Sequence, residues 1–238
     1  MGSGSIKMSK AELSPSDFIR EYCAELERLS QTVAVAGWET VPYRSEALDE
    51  IVNMTLVQQT SKIDELRKIN ELYLSSIEKG TDEYSDRQMA WWAIASLGMR
   101  PLSDAFSLIT DQDAIEVYNA DHNQVFRSLN IFKCLSYTLD EISRNAWFEL
   151  FERDEAVTVR MMEVANEILL QKKPATILQP FGTHWVKERF SVRRNRALLE
   201  SRLLTPLMST SGSRQIVGYM NVFRIIKLES CADEPLDH

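Results

Sequence analysis

The chain has 238 residues, of which 44% are hydrophobic, and this suffices for one large domain or for a domain with a helical module. Its formal net charge of −8 argues against broad nucleic-acid binding, which needs a cationic surface that displaces counterions. The cysteines Cys23, Cys134 and Cys231 are odd in number and lack a C-x-x-C pair, so the sequence predicts neither a disulfide framework nor a zinc site.

The first predicted element is an amphipathic helix. Residues 1–7 read as an artificial leader ahead of Met8 and are left out of the fold. The helix begins at Ser14, which provides a cap before a proline, and it ends at Gly37. Its apolar stripe consists of Phe18, Tyr22, Leu26, Leu29 and Val33. Such a stripe predicts a helix with one buried face.

A second, longer helix is predicted over residues 45–80. Its apolar stripe consists of Leu48, Ile51, Val52, Leu56, Ile63, Leu66, Ile69, Leu72 and Ile77. This length exceeds what a small core needs, so we expect a homodimer through the N-terminal helices. Gln59, Lys62 and Asn70 interrupt a strict heptad, and packing against its own domain is the alternative. Helices over 84–97 and 102–109 complete this region.

Residues 113–154 predict a change from long helices to short elements. β-Branched and aromatic residues over 114–118 indicate a first strand, and 121–123 have the composition of a polar turn. A second strand is predicted over 124–129, where apolar and polar residues alternate. The simplest structure for this stretch is a β-hairpin.

Short helices are predicted to follow this hairpin. They cover residues 131–135, 136–142 and 145–151. Thr138 and Glu141 stand three residues apart at the start of the second helix, and this spacing predicts a capping box. A longer helix is predicted over 154–171, with an apolar stripe that faces the sheet.

The last predicted elements are strands. A connection over 173–187 leads to a strand over 188–194. Two further strands, 203–207 and 216–225, are separated by Gly212 and predict a closing hairpin.

This order of elements resembles the PAS domain family over residues 113–228. The resemblance is carried by Asn130, by the segments SYTLDEI at 136–142 and WFELF at 147–151, and by the closing hairpin. It implies an α+β fold with a PAS-like five-stranded antiparallel sheet and short helices on one face, preceded by an all-helical region. The long connection over 173–187 departs from the family pattern.

The resemblance divides the chain into four segments. They are the leader 1–7, a helical N-terminal region 8–110 with dimerisation helices, a PAS-like domain 111–228 and an acidic tail 229–238.

The resemblance also allows a prediction about cofactors. Flavin-binding LOV members of the family use a cysteine in a short helix, and Ala146 stands at the matching position. Heme-binding members supply an axial histidine, commonly from the long helix, and residues 154–171 contain none. We therefore predict neither flavin nor heme, and no other cofactor.

An interior that is not fully packed would form an apolar box for a small hydrophobic or aromatic metabolite. Its predicted lining consists of Phe132, Trp147, Phe148, Met161, Ala165, Leu204 and Met220, with Asn221 as one polar contact. A filled core without a ligand is the alternative.

Catalytic and metal sites find little support in the sequence. His122, His184 and His238 lie far apart without metal-ligand spacing. His122 is predicted to be solvated in a turn, and His184 to be a packed or exposed loop residue. No nucleophile elbow or phosphate-binding glycine loop is present. We therefore predict no enzyme activity, no catalytic residue and no metal ligand.

A basic run interrupts the acidic background between residues 187 and 202. Alternation predicts Arg189 and Arg193 on the solvent face of a strand, with Phe190 and Val192 buried behind them. The simplest interpretation is a solvated strand face. The alternative is a docking site around 189–196 for an acidic protein partner.

We therefore expect a cytoplasmic sensory or regulatory protein, in signal transduction or transcription regulation, that binds a small apolar or aromatic ligand. Occupancy of the interior would be signalled through the flanking helices and dimerisation. The alternative is a ligand-free interaction or dimerisation module of a transcriptional or signalling complex. The sequence contains no apolar run that could span a bilayer and no direct nucleic-acid-binding signature.

Overall fold

The computed structural model describes residues 15–44, 48–79, 85–102, 104–145, 147–172, 175–191, 194–212 and 215–231. The α-helices are α1 Pro15–Val35, α2 Leu48–Val52, α3 Leu56–Glu78, α4 Asp86–Ser96, α5 Leu139–Arg144, α6 Trp147–Leu150 and α7 Glu155–Leu169. The strands are β1 Met99–Pro101, β2 Asp113–Asn119, β3 Gln124–Arg127, β4 Phe151–Arg153, β5 Ile177–Leu178, β6 Thr183–Glu188, β7 Asn195–Ser209 and β8 Ile216–Ser230. Short 3-10 helices cover Ala105–Leu108 and Leu129–Lys133.

The strands form one antiparallel sheet, in the order β3-β2-β8-β7-β6-β4. The short strands β1 and β5 pair with β7, so the described residues contribute eight strands. This confirms the prediction of an α+β protein with an antiparallel sheet.

The predicted closing hairpin is confirmed as β7 and β8, which pair along most of their length. Gly212 lies between them with φ +86°, a left-handed conformation that glycine adopts without steric cost. Both strands are longer than predicted. Strand β8 extends to Ser230, so the first residues of the predicted acidic tail belong to the sheet. Residues 232–238 of that tail, like the leader 1–7, lie outside the described residues.

The sheet lies between two helical layers. Ile115 and Val117 of β2, with Met220 and Val222 of β8, pack with the buried residues of the N-terminal helices in one core cluster. Alternate residues of a strand point to opposite faces, so Glu116 lies on the other face, which the 3-10 helix Leu129–Lys133, α6 and α7 cover. We call this second face the inner face.

The predicted helix over 45–80 is interrupted. Helix α2 ends at Val52 and α3 begins at Leu56, because Thr55 forms a capping box with Gln58. The predicted start at Ser45 lies outside the described residues. The predicted helix over 102–109 is only the 3-10 helix Ala105–Leu108, and β1 before it was not predicted.

The apolar stripe of α3 is covered by the same chain. Ile63 and Leu66 are buried in the core cluster that contains the buried face of α1. The Asn70 amide also donates to the Glu25 carbonyl of α1 at 2.9 Å. Packing against its own domain, the alternative from the sequence, therefore accounts for the buried part of this stripe, whereas Val52 and Leu56 at its start are 47% and 41% exposed.

The predicted strand over 188–194 is wrong. Strand β6 ends at Glu188 and β7 begins only at Asn195. Phe190, predicted to be buried, is 53% exposed, whereas Ser191 is buried. The reason is tertiary, because the buried Glu188 carboxylate accepts hydrogen bonds from the Asn195 and Ser136 backbone amides and holds a turn there. Residues 192 and 193 lie outside the described residues.

The close approach of β2 and β8 gives a test of the sheet register. A Cβ atom at Gly218 would lie 2.2 Å from the Tyr118 carbonyl oxygen. We expect Gly218→Ala to lower the free energy of unfolding by about 2–3 kcal/mol, measured by urea denaturation, because the strand backbones must separate. Gly37→Ala is the control. It meets nothing within 4 Å at φ +86° and should cost only about 1 kcal/mol of left-handed strain. Equal losses would contradict this register.

Candidate ligand-binding cavity

A small cavity lies between the inner face of the sheet and its helical cover. Its floor comes from the sheet and consists of Glu116, His184, Leu199, Ser201, Asn221 and Phe223. Its cover includes Trp147, Leu150, Phe151, Arg153, Met161 and Phe181. About 40 Å³ is open to the centres of water molecules. A single water needs about 10–15 Å³ on this measure, so the cavity holds only a few waters or a small ligand.

Glu116 is the centre of a hydrogen-bond network across neighbouring strands. Its carboxylate accepts from the Gln124 amide at 2.9 Å, the Tyr118 hydroxyl at 2.9 Å and the Asn221 amide at 3.1 Å. Burial, and then the charge of Glu116, raises the pKa of Tyr118 well above its usual value, so the hydroxyl remains a donor. These bonds fix the Asn221 side chain. Its side-chain oxygen Oδ1 has no hydrogen-bond partner in the described protein.

Arg153 brings a buried positive charge to the cavity. Its guanidinium lies over the Trp147 ring, 5.2 Å from the ring centre, and Phe151 is also within cation-π range at 6.0 Å. The Arg153 Nη1 atom donates to the sulfur of Met161 at 3.1 Å, which is a weak acceptor. Burial lowers the pKa of Arg153 from its usual value. Arginine nevertheless remains protonated in proteins, so the cavity contains a cation.

His184 is part of the cavity floor, although the sequence predicted a loop residue there. It lies in β6 opposite Leu199 of β7. Burial, followed by the charge of Arg153, lowers the pKa of His184 to about 4, so the imidazole is neutral at pH 7. Alternation in the sequence would have placed His184 on one face with Val186 and Glu188, but only after the strand boundaries were known.

Unpaired polar atoms are concentrated in this cavity. Among the described residues, six of its side chains have a buried nitrogen or oxygen without a hydrogen-bond partner in the protein. These atoms are Arg127 Nη1, Trp147 Nε1, Arg153 Nε, His184 Nδ1, Ser201 Oγ and Asn221 Oδ1. A buried polar atom without a partner costs about 1–3 kcal/mol. A cavity with several of them is therefore prepared for polar contacts with a bound molecule.

The structure brings together three of the residues predicted to bind a ligand. Trp147, Met161 and Asn221 line the cavity, and Asn221 points inward, which strand alternation alone had left open. The cavity keeps a mostly apolar lining, as the sequence predicted, but it also contains charged and amide groups that the prediction did not include, among them Glu116 and Arg153.

The other predicted ligand residues lie outside the cavity lining. Phe132 packs against a small cluster that contains Leu150 of the cover. Ala165 and Leu204 pack together in a separate apolar cluster. Met220 is buried on the opposite face of the sheet, below the N-terminal helices, because it alternates with Asn221. Phe148 is 47% exposed. Direct ligand binding by these residues stays a prediction.

His122 was predicted to be solvated, and it is not. It adopts φ 62° in the turn between β2 and β3 and is half-buried. One ring nitrogen is 3.0 Å from the Tyr219 hydroxyl, and the other is 3.1 Å from the side-chain oxygen Oδ1 of Asn166. The residue therefore ties the turn to α7. It is not among the cavity residues.

The chain matches no protein-family model and no curated protein sequence. Across the part of the chain that the structure describes, no helix combines the length and apolar character that a membrane span requires. The same residues contain no group of three or more histidine, cysteine, aspartate or glutamate side chains arranged to hold a metal ion.

Hydrogen bonds join the N-terminal helices directly to the backbone around the cavity. The Tyr73 hydroxyl of α3 donates to the carbonyl of Arg127, whose side chain lines the cavity. The carboxylate of Asp86, at the start of α4, accepts a hydrogen bond from the backbone amide of Asn130 at 2.6 Å. The Tyr22 hydroxyl of α1 donates to Asp140 of α5 at 2.8 Å. The layer on one face of the sheet is thus connected to the inner face through buried polar contacts.

Proposed function

We propose that this protein is a sensory or regulatory protein whose PAS-like domain binds a small molecule in the inner-face cavity. The observation that carries the proposal is that six of the residues lining one small cavity each have a buried polar atom without a hydrogen-bond partner in the described protein. Protein interiors otherwise satisfy nearly all of their buried polar atoms, so this concentration indicates a site and not an ordinary core.

The PAS-like part of the proposal is supported by the arrangement of the strands. The path β3-β2-β8-β7-β6 places the first hairpin beside the closing hairpin in five consecutive antiparallel strands. The 3-10 helix Leu129–Lys133, the short helix α6 and then α7 cover the same face of these strands. Strands β1, β4 and β5 are additions to that set of five.

The proposed output is a change in the packing of the N-terminal helices. Arg127 contributes its side chain to the cavity and its carbonyl to the Tyr73 hydrogen bond, so one residue contacts both layers. A ligand that prefers one position of Arg127 would shift the equilibrium between two packings of α3 against the sheet. The size of the shift equals the difference in the ligand's affinity for the two packings. We place this activity in the cytoplasm, as the free cysteines favour.

A second candidate function is association with another protein. It is favoured by a surface groove on the N-terminal helices, formed in part by Trp91, Trp92 and Phe106, in which Trp91 is 48% exposed. Large exposed aromatic side chains are enriched at protein interfaces. A homodimer or a partner complex would use this groove, since the stripe of α3 is already covered. The basic segment 189–196 stays a proposed contact for an acidic partner.

Ligand binding is testable by thermal unfolding in the presence of small polar metabolites. A ligand at 100 times its Kd stabilises the folded state by about 2.7 kcal/mol, and we expect the Tm to rise by about 5–10 °C for a chain of this size. Native mass spectrometry of the same samples should show the added mass. Light scattering should show whether the chain associates, with or without the compound.

Two variants make the test specific to the cavity. Leu199→Phe enlarges a floor side chain, and it should abolish the thermal shift while the protein remains folded. Phe148→Ala changes a predicted ligand residue that lies outside the cavity lining, and it should keep the shift. A broad panel without any shift, from a protein of bare chain mass, would refute small-molecule sensing.

A further inference from the structure

We propose that the cavity is selective for a small carboxylate, held by the guanidinium groups of Arg127 and Arg153. This inference rests on the proposed function and gives its ligand a chemical class. It differs from the apolar or aromatic ligand that the sequence predicted.

The first argument is the charge balance of the cavity. Its charged side chains are Arg127 and Arg153 against Glu116, and His184 is neutral at pH 7. Glu116 already accepts three hydrogen bonds from neutral groups of the floor. One positive charge is therefore in excess among the side chains that line this small cavity. Burial of an unbalanced charge is costly, and an anionic ligand removes that cost.

The second argument is the geometry of the donors. The Arg153 guanidinium is oriented by the Trp147 ring, and its Nε atom has no partner in the described protein. Arg127 uses Nη2 for Gln124, its carbonyl for Tyr73, and has Nη1 unpaired. Guanidinium groups form strong, charge-assisted hydrogen bonds with carboxylate oxygens. Each arginine is therefore held in place and has one N–H donor without a partner in the described protein, Nη1 of Arg127 and Nε of Arg153.

The third argument is size. The open space of about 40 Å³ accommodates only a few non-hydrogen atoms without movement of the cover. This limits the ligand to acids of roughly two to four carbon atoms. Asn221 Oδ1 is an unpaired acceptor in the same space, so a hydroxyl group on the acid gains one further hydrogen bond. Short hydroxy acids therefore use more of the available groups than acetate does.

The inference is testable on the unmodified protein with isosteric pairs. Titration calorimetry with lactate and lactamide, and with glycolate and glycolamide, compares an anion with a neutral molecule of the same shape. We expect each acid to bind about 10–100-fold more tightly than its amide, because a hydrogen bond between charged partners is roughly twice as strong as a neutral one. Inorganic phosphate is a separate arm and should bind more weakly than lactate, because its second negative charge exceeds the one excess positive charge of the cavity and is repelled by Glu116.

Two variants test whether Arg153 supplies the positive charge that binds the carboxylate. Arg153→Gln keeps a polar side chain without the charge, and it should weaken lactate binding about 10–100-fold while lactamide binding changes little. Arg160→Gln is the matched control. Arg160 lies on α7, pairs with Glu163 at the surface and is not part of the cavity lining, so its loss should leave lactate binding unchanged.

The outcomes separate this inference from the proposed function. Amides that bind as well as the acids, or tighter binding of phosphate, would overturn carboxylate selectivity and leave small-molecule sensing intact. If neither the acids and amides nor any compound of the broad metabolite panel binds, both proposals fail. Lactate binding that survives Arg153→Gln would also overturn the assignment to this cavity.

Discussion

Replacement of Asp140 by alanine is expected to lower the free energy of unfolding by about 3–5 kcal/mol. Asp140 is 0% exposed and accepts hydrogen bonds from the Tyr22 hydroxyl at 2.8 Å and from Arg144 Nε at 3.0 Å. The Arg144 side chain is only 7% exposed, so the variant keeps a buried guanidinium after the loss of this carboxylate. Removal of one partner of a buried ion pair is more costly than removal of both. Urea denaturation at pH 7 measures the loss.

Two further variants separate the components of this loss. Tyr22→Phe removes only the hydroxyl that connects α1 to α5, and it should cost about 1–1.5 kcal/mol. Glu163→Ala is the surface control. Its ion pair with Arg160 is also within one helix, but both side chains are about half exposed, and its loss should cost less than about 1 kcal/mol. An Asp140→Ala protein as stable as Glu163→Ala would contradict a buried link between the two helical layers.

The second large effect is a pH dependence of the free energy of unfolding, which the titration of Asp86 produces. Burial raises the pKa of Asp86 from 3.8 to about 6, against the lowering effect of hydrogen bonds from Ser128, Asn130 and Leu129. Between these two pH values the folded protein keeps a proton that the unfolded chain has released. Stability therefore falls as the pH rises through this window, by a total of about 3 kcal/mol, and the loss is complete above the folded pKa.

The measurement is the difference in unfolding free energy between the wild type and Asp86→Asn from pH 4 to pH 7. Asparagine keeps an acceptor for the Asn130 amide but does not titrate in this range. We expect the wild type to lose about 2.4 kcal/mol relative to the variant between pH 4 and pH 7. A difference that stays constant with pH would contradict the buried, protonated carboxyl group.

The comparison with a variant is necessary because His184 also titrates in this pH range. Its titration raises the free energy of unfolding as the pH rises, whereas that of Asp86 lowers it. Burial lowers the pKa of His184 from 6.5 to about 4, so the unfolded chain binds the extra proton first. Its contribution to stability is complete above pH 6.5 and is lost as the pH falls toward about 4. The two effects partly cancel in the wild type. In Asp86→Asn the unfolding free energy should rise with pH, and His184→Gln should remove that rise.

Short-range features were predictable because their interactions span few residues. The capping box of Thr138 and Glu141 is present as the sequence indicated, with both hydrogen bonds formed. The first hairpin and the closing hairpin also lie close to their predicted positions. Each of these elements depends on side chains and turns within a short stretch of chain, so local chemistry specifies it.

Features that depend on distant partners were missed. Glu188 ends its strand through a bond to Ser136, which lies 52 residues earlier, and no pattern near residue 188 records that contact. The prediction of a continuous helix over 45–80 is wrong for a different reason. The apolar stripe continues past the break, but Thr55 and Gln58 form a capping box that begins a new helix.

The sequence by itself determined the amphipathic helices, the capped helix at Thr138 and the strand-rich C-terminal half, because periodicity and capping are local properties. It did not determine which surface covers each apolar stripe. The chemistry of the cavity was decided only by the tertiary structure, since Glu116 meets Asn221 across 105 residues of chain. Sheet register directs Asn221 into the cavity and Met220 into the core below the N-terminal helices, and this one-residue difference adds a polar group to a lining that the sequence predicted as apolar.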